Sequence, residues 1–401
     1  MEFRLGASAI ASSQSVRSYS GKASLLAKLA CAAALLLATG AEVKRWYYSA
    51  SHQAPAAMLI EPAQRGKIHF VPRSATLLPK PPNAPSAHAS AITPLPGGRM
   101  AAFWWAGSRE SGPDVKVYAA HWIDGKWSNP WEVASRDSLG AALGYGVRRI
   151  GNPVAWASAD GRIDLFVVAT GLGGWAASRI VQLESHDQGK NFVVKRLLPL
   201  SPLFNTSTLV RTTPVGLADG GWLLPAYFEM GIKYPLMLAF DPAGDPRWIS
   251  RIGQRTAALQ PTIVPVSRSE VHAWMRDSSS EQKVQHARSS DGGVNWDDLP
   301  PLDLPNQSTS LSAVRLSNGS IALLHNHVLP GGSDRNVLRL SVTDNGRNWS
   351  RVIDIAQGSA GEEFSYPDLH QVGNELHITY TSRREAIAHH VIDLEFGGSP
   401  E

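Results

Sequence analysis

The stretch Ser289-Ser290-Asp291-Gly292-Gly293-Val294-Asn295-Trp296 places a glycine two residues after an acid and an aromatic five residues after it. The pattern returns in Ser185-His186-Asp187-Gln188-Gly189-Lys190-Asn191-Phe192 and in Thr343-Asp344-Asn345-Gly346-Arg347-Asn348-Trp349. A short carboxylate can accept backbone N–H groups of its own turn, glycine supplies a positive φ, and the aromatic covers the neighbouring sheet. The box therefore reads as a hairpin turn, with its Asp residues structural. The interval from Asp187 to Asp291 is close to twice that from Asp291 to Asp344, so a copy is expected midway. Asp241-Pro242-Ala243-Gly244-Asp245-Pro246-Arg247-Trp248 lies there as a stretched version, and Asp124-Gly125-Lys126-Trp127 is a worn copy further upstream.

A second set of hairpins runs out of phase with the boxes and counts the same modules independently. Short strands at Ser90–Ile92, Val154–Trp156, Val215–Leu217, Thr262–Val264, Leu311–Leu316 and Leu369–Gln371 are each followed by a turn and an apolar strand. The turns Gly97-Gly98, Asp160-Gly161, Asp219-Gly220, Arg268-Ser269, Asn318-Gly319 and Gly373-Asn374 suit tight hairpins. Six modules of fifty-odd residues over 86–395 predict an all-β chain, a six-bladed β-propeller with Asp-box hairpins. Composition agrees: 18% charged residues with 35 Gly, 27 Pro and 13 Trp in 401 residues leave little for long solvated helices. A net charge of +4 without a Lys/Arg block argues against a nucleic-acid partner.

Upstream of the repeats, Arg4, Arg17, Lys22 and Lys28 precede the apolar run Leu29 to Ala41, which predicts a signal peptide or membrane anchor over 1–45. Prolines 55, 62, 72, 79, 81, 82 and 85 mark 46–85 as a Pro-rich linker, an extended tether or outer wrap, and 396–401 reads as a tail. An exported monomer, periplasmic, secreted or inner-membrane-anchored, is the expectation. Cys31, the single cysteine, lies in the apolar run, which excludes disulfides and thiolate chemistry from the rest of the chain.

With the boxes and hairpins in place, the chain resembles the bacterial sialidase-like (predicted neuraminidase) family with BNR/Asp-box repeats. The similar segments span nearly all of 86–395. Among them are Ser86-Ala87-His88-Ala89-Ser90, Phe103 to Glu110 running on to Asp114, Gly151-Asn152-Pro153-Val154, Leu224 to Glu229, Leu259-Gln260-Pro261-Thr262, Glu363 to Leu369 and Tyr380 to Arg384. The resemblance implies an exo-sialidase-like glycosidase acting on an acidic sugar at a non-reducing end. It assigns Tyr366 as nucleophile, Glu229 as its activating base and Asp114 as acid/base. Arg211, Arg276 and Arg335 become a carboxylate clamp. His88, Arg109, Glu110, Asn152, Gln260 and Arg383 complete the substrate contacts expected at the propeller mouth. Sialidases usually open with an Arg-Ile-Pro segment; at that phase this chain has His88 and its neighbours, which removes the first clamp arginine. The alternatives are a non-catalytic glycan-binding propeller and a uronate lyase with His88 or Tyr366 as base. No metal or cofactor is expected: His325 and His327 share a strand face without an evident third ligand, and Gly171-Leu172-Gly173-Gly174 lacks a following βαβ unit.

Overall fold

The computed structural model describes residues 13–51, 66–200, 205–328 and 335–397. One unit is a single helix, Ser13–Ser51, whose span Lys22–Lys44 has no buried residue and, with a mean hydropathy of 1.8, is long and apolar enough to cross a membrane. This is what the expected signal or anchor requires, although the helix runs on past residue 45.

The other unit is a ring of six antiparallel sheets. Blade I holds Ser86–Leu95, Arg99–Gly107 and Lys116–Ile123, with Lys126–Trp127 and Trp131–Ser135 on its outer edge. Blade II follows with Arg149–Ala157, Ile163–Thr170, Ser178–Ser185 and Val193–Leu197. In blade III the innermost strand is split into Thr208–Val210 and Val215–Gly216, backed by Trp222–Met230, Ile232–Phe240 and Pro246–Arg251. Blade IV is Ala258–Pro265, Val271–Asp277, Gln285–Ser289 and Asp297–Leu299, and blade V is Ser312–Arg315, Ile321–Asn326, Val337–Thr343 and Ser350–Gln357. Blade VI consists of Phe364–Val372, Glu375–Ser382, Ala386–Gly397 and, from the other end of the chain, Lys67–Leu77.

That last strand corrects the linker expectation. Lys67–Leu77 pairs antiparallel with Ala386–Gly397 and closes the ring, so the propeller begins well before residue 86 and the supposed tail starts inside a strand. Pro72 is tolerated because the strand is an edge, and the register slips just there, between Pro72 and Ser74. Between the sheets, Trp104, Trp222 and Trp274 are fully buried. Each ring removes roughly 150–250 Å² of apolar surface from water.

The Asp boxes behave as turn chemistry predicts. The Ser185 hydroxyl accepts from Gly189 N–H at 2.9 Å, while Asp187 accepts from Lys190 and Asn191 at 3.1 and 2.9 Å. Partial burial pushes the Asp187 carboxyl up, but these donors outweigh it and hold it down to about 2. Ser289 and Asp291 repeat the arrangement. The third box differs from expectation. Asn345, not Asp344, accepts from Arg347 and Asn348, each at 2.9 Å, because this box is one residue shorter between its hydroxyl and its glycine.

Candidate active site at the propeller mouth

Four innermost strands share one local irregularity at their beginning. The register shifts between His88 and Ala91, Gly151 and Val154, Leu259 and Thr262, and Ser365 and Asp368. In each bulge one residue takes a left-handed backbone: Ala89 (φ 55°), Asn152 (45°), Gln260 (47°) and Tyr366 (53°). In three of them the next residue is proline, which disfavours an α-like conformation before it, so the conformation is held by tertiary structure. Bulges re-aim side chains. Asn152, Gln260 and Tyr366 are turned into one cavity of about 370 Å³.

That cavity also gathers Glu110, Glu229 and Arg276, so six of the sequence-derived site residues meet. Trp105, Ser111, Trp175 and Tyr227 line it as well, and the indole of Trp175 donates to Ser111 at 3.1 Å. Tyr227 was legible in principle: it stands two residues before Glu229 on one strand and so shares its face. Its phenol is buried, pushed up by burial, and accepts from Gln260 at 3.2 Å.

The remaining expected residues lie elsewhere. His88 is 2% exposed, with its ring 4.2 Å from that of Tyr366 and 5.4 Å from Trp105, so it forms a floor under the cavity. Neither ring nitrogen has a hydrogen-bond partner. Burial, assisted by the charges of Arg384, Arg211 and Arg335, pulls its pKa down to about 3, so it is neutral at ordinary pH. Arg211 is 1% exposed and donates to the carbonyls of Ser90 and Pro367 at 3.2 and 2.9 Å. Its guanidinium carbon lies 5.1 Å from the centre of the Tyr366 ring. Arg335 is ion-paired to Glu363 at 2.8 Å, and Arg383 to Glu362 at 2.5 Å. The three-arginine clamp is therefore not assembled: of its members only Arg276 lines the cavity. Arg109 is exposed outside the lining.

Asp114 requires the clearest correction. Its carboxylate folds back on its own loop, accepting from the Ser108 hydroxyl at 2.7 Å and the Ser108 N–H at 2.8 Å. The Ser108 hydroxyl is the main cause holding it below the usual carboxylate range. A loop-locked, ionised carboxylate outside the cavity is not placed to give a proton to a leaving group. The carboxylate that the same loop does deliver is Glu110.

Hydrogen bonds run along much of the rim. Arg276 donates from Nη1 to Gln260 at 3.3 Å and from Nε and Nη2 to the Ser308 hydroxyl at 3.1 and 3.0 Å. Arg335 reaches the Ser308 carbonyl at 3.4 Å and Glu363, which also accepts from Arg384 at 2.7 Å and from Ser365 at 2.5 Å. Arg384 in turn bridges to Glu110. Burial raises the Glu363 carboxyl, but Arg384, Ser365 and Arg335 overcome it and hold the group at about 2. Among the described residues no cluster of three or more His, Cys, Asp or Glu is arranged to hold a metal. His325 is instead buried and bonded to the Asn326 carbonyl and the Ser341 hydroxyl.

Six antiparallel sheets around a common axis, with a polar cavity at one end of their inner strands, define a sialidase-like β-propeller. The BNR repeat-like domain family matches residues 98–378, and the chain belongs to that family. Among curated protein sequences none matches. Solved structures share the fold. A protein of unknown function from Dyadobacter fermentans is 13% identical with a TM-score of 0.64, over 82% of this chain and 99% of that one. The NanB sialidase of Streptococcus pneumoniae is 12% identical with a TM-score of 0.61, over 81% and 70%. The Trypanosoma rangeli sialidase in complex with sialic acid is 15% identical with a TM-score of 0.59; the match covers 83% of this chain but only 58% of that one. At such identities the likeness is one of fold.

Proposed function

We propose that the mouth cavity is a sugar-binding active site and that the protein is an exported or membrane-anchored glycosidase acting on a terminal sugar. The observation that carries this reading is the meeting of Tyr366 and Glu229 in one cavity beside the indoles of Trp105 and Trp175. Indole faces cover the apolar face of a sugar ring, while Asn152 and Gln260 offer hydrogen bonds to its hydroxyls. In the reaction, Tyr366 Oη attacks the anomeric carbon as its proton passes to Glu229, and the glycosidic oxygen leaves with a proton from Glu110, which takes that proton from solvent and gives up its pair with Arg384 beforehand. Water then cleaves the tyrosyl–sugar bond. Tyr366 is held for this by its bulge backbone, by the His88 ring against it and by the Arg211 guanidinium near its face. The exposed apolar helix Lys22–Lys44 supports export or anchoring.

A second reading, sugar binding without turnover, draws support from Asp114 facing its own loop. Lyase chemistry through His88 loses support, because both ring nitrogens are buried and burial makes the ring a weak base. A panel of fluorogenic glycosides separates the first two. Turnover that disappears in Tyr366→Phe and Glu229→Gln supports hydrolysis. Binding with no turnover of any glycoside in the panel leaves only the binding module.

A further inference from the structure

Resting on the reading of the mouth as a sugar site, we infer that its innermost subsite takes an uncharged sugar and discriminates against one bearing a carboxylate on the anomeric carbon.

The argument is an inventory of charge at the cavity. A sugar carboxylate is best held by guanidinium forks free to bond both oxygens. Arg211, Arg276, Arg335 and Arg384 are each committed to a protein acceptor, and Arg109 is exposed outside the lining. Arg211 is sealed beneath Tyr366 and spends its two terminal nitrogens on the carbonyls of Ser90 and Pro367. Arg335 and Arg384 share Glu363, a carboxylate that a fourth group, the Ser365 hydroxyl, helps to fix. Arg276 is the one guanidinium in the lining, and all three of its nitrogens donate to Ser308 or Gln260.

Against that single committed cation the lining carries two carboxylates, Glu110 and Glu229. Where the resembling family has its first clamp arginine, His88 contributes a neutral ring with no exposed nitrogen. A carboxylate entering here loses its water, gains no free fork and faces the Glu229 carboxylate as a like charge, Glu110 being paired with Arg384. Such desolvation without compensation is strongly unfavourable. An uncharged ring meets the complementary set: two amides, two phenols and two indoles, from Asn152, Gln260, Tyr227, Tyr366, Trp105 and Trp175.

Glu363 is the residue that enforces this preference. It accepts from both Arg335 and Arg384 and offsets one of their two charges, while Glu110 pairs with Arg384. It lies outside the lining, so changing it alters the charge at the mouth without removing a group that would touch the sugar.

The test uses the full-length protein and a panel of methylumbelliferyl glycosides. Neutral hexosides and deoxyhexosides are compared with the sialoside and the glucuronide, reading both turnover and binding. The expected result is a preference for a neutral glycoside over the sialoside by roughly a hundredfold or more. Glu363→Gln is expected to narrow that gap by about tenfold by releasing Arg335 from its ion pair and leaving Arg384 to Glu110 alone. The milder Ser365→Ala, which loosens Glu363 without uncharging it, should narrow it less. Preference of the wild type for the sialoside overturns the inference while leaving the mouth a sugar site. Neutral sugars bound without turnover uphold the inference and overturn hydrolysis instead. If no probe of either kind binds, the sugar-site reading and the inference fall together.

Discussion

The same innermost strands behave differently at their two ends. At their beginnings, bulges break the ladder and turn Asn152, Gln260 and Tyr366 into the mouth cavity. At their far ends the ladder is regular, and Trp156, Val215, Val264 and Leu369 close around a cavity of about 300 Å³. Periodic pairing puts alternate side chains where the sheet dictates, and a mostly apolar lining results, with Arg315, His370 and Gln371 among it. A bulge abandons the period for one residue, leaves that residue strained, and thereby gives a polar side chain a direction the sheet does not offer. The difference teaches that this fold separates regular packing from the polar cavity along single strands.

Tyr366→Phe is the sharpest way to break the contrast, and it carries the largest expected effect. Removing only the hydroxyl is expected to reduce turnover about a thousandfold with thermal stability unchanged. Unchanged kinetics would remove Tyr366 from the chemistry and leave its bulge a structural feature.

Acid comes next, because it acts on the buried framework rather than on one end of a strand. Burial first, then neighbouring positive charge or a second imidazole, pulls His88, His286 and His389 down to about 3. His325 falls to about 4 by burial, although its bond to Asn326 pulls the other way. Unfolded, each ring protonates near 6.5; folded, each stays neutral. The stability they contribute is therefore fully present above pH 6.5 and is lost as pH falls toward 4 and below. A loss on the order of several kcal/mol by pH 4 is expected from four such groups. Thermal melts across this window check it, and a flat melting temperature would mean the rings are not buried as described.

At the apolar end, Trp156→Ala tests whether the lining there serves only packing. Trp156 stacks on Trp222 at 5.7 Å between ring centres. Truncation should cost about 2–3 kcal/mol in chemical denaturation and leave sugar affinity at the mouth unaltered. An effect on affinity instead would couple the two ends.

The smallest effect sharpens the mouth itself. Asp114→Asn is expected to lower stability by about 1 kcal/mol, through the two Ser108 contacts, and to leave turnover within about twofold. A large drop in turnover would restore Asp114 to the reaction and displace Glu110.

Much of the fold was legible because its signals are local. Each Asp box is a self-contained turn in which Ser185, Asp187 and Gly189 bond one another within a few residues. The third box shows the edge of that legibility: Asp344 fits the spacing from the tryptophan, but spacing from Thr343 selects Asn345 as the acceptor. The strand Lys67–Leu77 escaped the reading because prolines suggested an extended tether, and nothing in its own sequence names Ala386–Gly397 as its partner. For the site, strand phase was enough to bring Asn152, Gln260, Arg276, Glu229 and Tyr366 to one mouth. It was not enough to say which arginines would be free, since Glu363 and Arg384 are twenty-one residues apart and Glu110 lies across the ring closure.

What the sequence determined by itself is the module, its six copies and the polar residues that begin the inner strands, because turn chemistry and two-residue alternation act over a few residues. Only the tertiary structure decided which of those residues face the cavity and which are consumed within the protein. Bulge conformation, ring closure and ion pairing depend on groups brought together from distant parts of the chain, and the charge left over for a ligand is settled only after all of those contacts are made.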